Sequence, residues 1–225
     1  MSSAFKVAII TFPGTNCEQD SKYAFSLLGC DVSVYWHTQT NINADLIVLP
    51  GGFSHGDYLR TGAIAKFSPA MSAVISHAKK GGKILGICNG FQMLLELGLL
   101  PGAMLKNESM SFISKFTHIK VISNNNAFLK FCDNGEILNI PVAHGEGNYY
   151  ADKITLKALE DNEQILLRYC DKAGNICDLN GSQMQIAGIC DKAKNIFGLM
   201  PHPERACESI LGGDDGLKML KGFLC

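Results

Sequence analysis

The chain has 225 residues, 47% of them hydrophobic and 18% charged, with a net charge of -1, a composition that supplies a large core and excludes disorder. Lysines and arginines are scattered, which leaves no electrostatic footprint for nucleic acid or an anionic membrane, and the early apolar run from Val7 to Phe12 is too short for a signal peptide or a membrane span. Nine cysteines, an odd number with no C-x-x-C pair, argue against a disulfide framework or a zinc site and for small buried residues in a reducing, cytoplasmic compartment.

One domain over residues 1–225 is expected, and Cys225 has no residues after it that would make a prenylation box. Lys6 to Phe12 reads as a buried strand, followed by a helix with Asn16 as N-cap and Gly29 as its stop. Asp31 to Trp36 and Asp45 to Leu49 are the next strands. Ser68-Pro69 opens a helix with Met71, Val74, Ile75 and Ala78 on one face, ended by Gly81 and Gly82. Lys83 to Ile87 is a strand, and Asn89 to Leu97 is a helix with Phe91, Leu94 and Leu95 on its apolar stripe. This alternation predicts a mostly parallel, open α/β sheet with helices on both faces. After Gly102 the pattern favours strands linked by turns, at His118 to Ile122, Ile137 to Val142, Ile165 to Cys170, Ile186 to Cys190 and Ile196 to Met200. The Gly212 to Gly216 stretch lacks a P-loop ending and reads as a turn before a last helix from about Gly216 to Leu224.

The sequence Gly86-Ile87-Cys88-Asn89-Gly90 lies where a buried strand meets an amphipathic helix, the layout of a nucleophile elbow with Cys in place of Ser. A chain that reverses so sharply leaves no room for a Cβ two positions to either side of Cys88. The positive end of the helix favours a thiolate there. The Asn89 N–H is placed to donate to an oxyanion, and the Gly51-Gly52 pair at the end of another strand offers a second donor. Such a thiol needs a base held by an anion. Two H-x-E patterns offer one, His144-Gly145-Glu146 and His202-Pro203-Glu204. Spacing does not choose between them, although the prolines around His202 favour it by stiffness. Cys17, in the first turn of its helix, would have a lowered pKa but lacks the elbow glycines, so it reads as packing. The residues alone leave open a stand-alone Cys-His-Glu γ-glutamyl hydrolase and a non-catalytic redox module with a reactive elbow cysteine.

At FPGTNCEQD, LPGGFSHGDYLRTGAIA, LGICNGFQMLLELGLLPGA, IPVAHGEGNYYAD and GLMPHPERA the chain resembles the class I (triad-type) glutamine amidotransferases, a flavodoxin-like fold. Within that class it is similar to the separate glutaminase subunits of phosphoribosylformylglycinamidine synthases of purine biosynthesis. The resemblance implies Cys88 as nucleophile, His202 as acid/base and Glu204 as its orienting carboxylate, with Gly51, Gly52 and Asn89 at the oxyanion site and Gln92 touching substrate glutamine. It implies no metal or other cofactor in this chain. The partners it implies are a large synthetase subunit, which carries ATP and Mg, and a small bridging subunit. The Gly51 to Gly62 loop, centred on Tyr58 and Arg60, is the candidate for sensing that partner. His55 stands where Tyr is expected, and Ser109-Met110-Ser111 departs from a Gly-Arg-type stretch.

Overall fold

The structure, a computed structural model, describes residues 4–224, so Cys225 lies outside the described residues. Strand β1 (Lys6–Thr11) leads through a turn into helix α1 (Glu18–Leu27), and strands β2 (Asp31–Trp36) and β3 (Leu46–Leu49) follow. Helix α2 (Ala70–Lys79), strand β4 (Lys83–Ile87) and helix α3 (Asn89–Glu96) complete the first half. The cap of α1 is Cys17 rather than Asn16, with no side-chain capping bond. The Asn16 amide oxygen is instead engaged by the Cys17 thiol, 3.2 Å away. Gly29 ends the helix as expected, at a φ of 76° that a Cβ would resist.

The second half carries β5 (Ala103–Leu105), β6 (Ile113–Val121), β7 (Ile137–His144), β8 (Asn148–Tyr150), α4 (Lys153–Asp161), β9 (Ile165–Cys170), β10 (Ile186–Cys190), β11 (Ile196–Leu199) and α5 (Asp215–Leu220). Helix α4 corrects the expectation of strands and turns alone. Asp152 caps it by accepting from the Thr155 N–H at 2.8 Å, so both a cap and an amphipathic face were present in the local sequence, with Leu159 as the buried residue. β6 begins five residues before the expected strand, at Ile113 rather than His118. Its early residues Ser114 to Phe116 are exposed and pair along β7, so they lack an apolar signature.

Nine strands form one sheet in the order β2-β1-β3-β4-β11-β10-β9-β6-β7, and β5 pairs with β8 separately. The links from β2 to β11 are parallel and those from β11 to β7 antiparallel. Only β10 and β6 therefore oppose the common direction, which makes the sheet mostly parallel in strand direction. Gly86 and Gly198 are register partners on one face, where an added Cβ would strike Leu94 and Phe91 of α3. On the other face Phe197 packs on Phe128 and Phe223, at 5.9 and 5.4 Å between ring centroids. Helical segments thus cover both faces. The common direction also brings the carboxyl ends of β1, β3, β4, β11 and β7 to one edge, where open α/β sheets hold their ligands.

Candidate active site

Cys88 occupies that edge at φ 49° and ψ -104°, between β4 and α3. A non-glycine residue in this region stores strain, here sustained by the Cys88 N–H donating to the Leu199 carbonyl at 2.8 Å. The thiol faces the Ala143 carbonyl oxygen at 3.6 Å. The flanking glycines are required by helix docking rather than by closeness to the thiol itself. A Cβ on Gly86 would lie 2.7 Å from the Gly90 backbone, and one on Gly90 would overlap the Leu49 carbonyl at the end of β3. Asn89 opens α3, so its N–H has no intrahelical acceptor.

His202 follows β11, and its N–H donates to the Pro141 carbonyl of β7 at 2.8 Å. Pro203 begins a short 3-10 turn that folds Glu204 back onto the ring. The His202 Nδ1 and Glu204 Oε1 atoms are 2.7 Å apart, with the residues 1% and 3% exposed. Burial acts to lower the His202 pKa, but the Glu204 carboxylate, then the Cys88 and Cys17 thiols, hold it well above its ordinary value. The Nε2 atom has no hydrogen-bond partner among the described residues. Gly51 is glycine for a local reason, since a Cβ there would sit 2.7 Å from the imidazole Cε1 and 3.0 Å from the Cys17 sulfur. Gly52, at φ 137°, would likewise press a Cβ onto the backbone of Thr15 and Asn16.

Cys17 is buried as expected of a packing residue, but the fold sets it beside the His–Glu pair. Burial pushes its thiol pKa up, which overrides the lowering expected from a helical first turn. Arg205 Nη2 donates to its sulfur at 3.1 Å, while Nε bonds Asp20 at 2.9 Å. Among the described residues, Cys17, His202 and Glu204 are the set whose ligand atoms could converge on a metal, within 4.8 Å of one another. The Arg205 guanidinium against the sulfur opposes a cation there. All eight described cysteines are free thiols.

The second H-x-E pattern is also brought to the site. A cavity of about 180 Å³ is lined by Gly52, Asp57, Cys88, Gln92, His144 and Glu146, among others. A neighbouring cavity lined by Cys17, His202 and Arg205 shares its Gly52, Phe53, Phe112 and Ala143 wall. Gln92 lines the first cavity, but its amide is tied at both ends, accepting from Asn89 Nδ2 at 2.9 Å and donating to the Glu146 carbonyl at 2.6 Å. Asn89 Oδ1 accepts from the Ser54 N–H at 3.1 Å, and Thr61 Oγ1 donates to Glu146 Oε2 at 3.0 Å. A closed ring therefore runs from the Gly51 to Gly62 loop through α3 and the β7 end and back to the loop. Arg60 does not reach the cavity; it forms a two-point ion pair with Glu96 of α3 at 2.6 and 2.7 Å. His55, at φ 53°, packs edge-on against His37 with centroids 5.4 Å apart. Met110 is exposed at φ 56°, and the neighbouring Ser111 carbonyl accepts from Asn107 at 2.9 Å. Asp57, inside the Gly51 to Gly62 loop, and Asn107 line or support this site although the sequence alone assigns neither a role.

A family model described as a CobB/CobQ-like glutamine amidotransferase domain matches residues 4–212. The phosphoribosylformylglycinamidine synthase subunit PurQ of Sulfurimonas denitrificans is 60% identical over 221 residues, covering 97% of this chain and 99% of that protein. Its Campylobacter jejuni counterpart of the same name is 63% identical over 219 residues, covering 97% and 96%. A solved structure described as PurLQS from Thermotoga maritima contains a chain with a TM-score of 0.89 and 39% identity, covering 99% of this chain and 98% of that one. No helix among the described residues is long and apolar enough to cross a membrane.

Proposed function

The chain belongs to the CobB/CobQ-like glutamine amidotransferase family, and from that membership we infer that it is the glutaminase subunit of a phosphoribosylformylglycinamidine synthase. It hydrolyses glutamine to glutamate and passes ammonia to a synthetase that converts formylglycinamide ribonucleotide to formylglycinamidine ribonucleotide. The observation that carries this reading is a thiol at a left-handed elbow sharing a cleft wall with a buried His–Glu pair, in a chain 60% identical to a PurQ subunit.

In the proposed chemistry the Cys88 thiolate adds to the carboxamide carbon of glutamine. The oxyanion is met by the Asn89 N–H and by the backbone at Gly51 and Gly52, each donor worth about 10²-fold to 10³-fold in turnover. His202 gives a proton to the departing nitrogen, so that ammonia leaves and a γ-glutamyl thioester remains. The ring, now neutral, takes a proton from water as the hydroxyl adds to the thioester, and glutamate is released with the thiolate restored. Glu204, held on Nδ1, keeps Nε2 facing the reaction and stabilises the imidazolium. Gln92 acts on substrate by bracing the cavity wall through its two fixed bonds.

The chain supplies no ATP motif, so ATP and Mg are assigned to the large partner subunit, with a small bridging subunit completing the assembly that the PurLQS relative represents. The cytoplasm is the matching compartment for this pathway and for eight free thiols. A glutamine-like diazo ketone tests the assignment. Mass spectrometry should place a single adduct on Cys88, and an adduct on Cys17 in active protein would overturn it.

A further inference from the structure

His144 is 3% exposed, and its tautomer is fixed by its neighbours. Asn107 spends its amide N–H groups on the Ser111 and His144 carbonyls, at 2.9 and 2.8 Å, so its Oδ1 is an acceptor and also takes the Gly147 N–H at 3.0 Å. His144 Nδ1, 3.0 Å from that oxygen, must therefore be the donor. This leaves Nε2 as a bare acceptor, and it is buried without a partner among the described residues on the wall of the Cys88 cavity. Burial, then the charge of His202, pushes the His144 pKa down to about 4, so the ring is neutral at physiological pH.

Asp57 and Glu146 line the same cavity. Asp57 Oδ1 is buried without a partner, and the residue is held in the left-handed region at φ 54°. Burial and then the Glu146 carboxylate raise the Asp57 pKa to about 6. The residues that line this cavity thus offer two carboxylates and a bare imidazole nitrogen as acceptors, and none of them is a lysine or arginine. An alkylammonium, with one positive charge and three N–H donors, is the complementary group.

We propose that Asp57, Glu146 and His144 form the subsite for the α-ammonium of glutamine and so set the preference for an α-amino acid amide over other primary amides. The inference rests on the glutaminase reading, since it places the carboxamide at Cys88 in the same cavity. Asp57 and Glu146 supply the charge, and the Nε2 atom of His144 supplies the third acceptor. The strained loop aims Asp57, and the bond from Thr61 aims Glu146.

The test compares kcat/KM for glutamine with that for glutaramate, which is glutamine without its amino group, in the complete complex. The wild type should prefer glutamine by at least about 10²-fold, a floor below the roughly 10⁴-fold to 10⁵-fold rejection seen when a site built to bond a group meets an analogue lacking it. Asp57→Asn and Glu146→Gln should each lower kcat/KM for glutamine by about 10²-fold, mainly through KM, while leaving glutaramate within about threefold. Loss on both substrates alike, or a preference for glutamine that survives both substitutions, would overturn the subsite. If Asp57→Asn fails to fold, Glu146→Gln decides alone. Labelling of Cys88 by a diazo ketone that carries no amino group keeps the two readings apart. If it labels Cys88 in every variant while the preference is unchanged, the glutaminase reading stands and the subsite falls.

Discussion

His144 and His202 share one sequence spacing, yet their surroundings push them in opposite directions. His144 is buried with a neutral partner, and its pKa falls from 6.5 to about 4. His202 has a carboxylate on Nδ1 and is held well above its ordinary value. The lowered group means the unfolded chain binds more protons between pH 6.5 and 4, so its stability contribution is complete above 6.5 and is lost as pH falls. His202 has the opposite sign: its contribution is complete below its ordinary pKa and is lost as pH rises through its folded value. At about 1.4 kcal/mol per pH unit below 6.5, His144 should cost the wild type roughly 2 kcal/mol on going from pH 7 to 5. His144→Asn should remove that loss, as read by urea unfolding at the two pH values; an unchanged slope would mean the ring is not the source. In turnover, His202→Asn should abolish glutamine hydrolysis with the fold intact, whereas His144→Asn should act chiefly on KM. Equal loss of kcat in both would remove the distinction between acid/base and binding residue.

The working element is a turn and its support. Helix α3 presents Cys88 because Gly90 lets the helix approach the Leu49 carbonyl, and Gly90→Ala would force that contact apart. Overpacking of this kind costs about 1–3 kcal/mol, and here the displacement moves Cys88. Gly90→Ala should therefore lower the melting temperature and suppress Cys88 labelling together; full labelling in a destabilised variant would show that the elbow tolerates the shift. The Gly51 to Gly62 loop is joined to the same helix by the Ser54–Asn89 bond and by the Arg60–Glu96 pair. Arg60 is largely exposed, so the pair adds little stability, within about 1 kcal/mol. Its position makes it a mechanical link between a surface loop and the helix that presents Cys88.

At the scale of the whole molecule, ammonia released into water is mostly protonated and no longer nucleophilic, so the chain must work against a synthetase that shields it. In a complex reconstituted with the large subunit, Cys88→Ala should stop glutamine-dependent synthesis while added ammonium salt still supports it. Arg60→Ala should weaken coupling more than it weakens glutaminase activity of the free chain. A free chain that hydrolysed glutamine at full rate, unchanged by any synthetase, would favour the stand-alone hydrolase.

What the sequence by itself determined was whatever depends on near neighbours in the chain. The buried strands β1, β3 and β4 were legible as continuous apolar runs, and the elbow was legible because its glycines, strand and helix are contiguous. The β7 strand was legible as a strand-like stretch from Ile137 to Val142, and in the fold it runs to His144 with buried and half-buried residues alternating. Helix α4 was equally local, with Asp152 as its cap and an amphipathic face over Lys153–Asp161, and the strand-rich surroundings masked it. The tertiary structure alone decided which residues meet across the carboxyl edge of the sheet. Cys17, Gly51 and His202 come from three separate segments, and their crowding explains a glycine that no local pattern required. Asp57 and Asn107 acquired their roles only when the β7 end closed over the loop, since an unpaired carboxylate and a tautomer-fixing amide are properties of a cavity rather than of a segment.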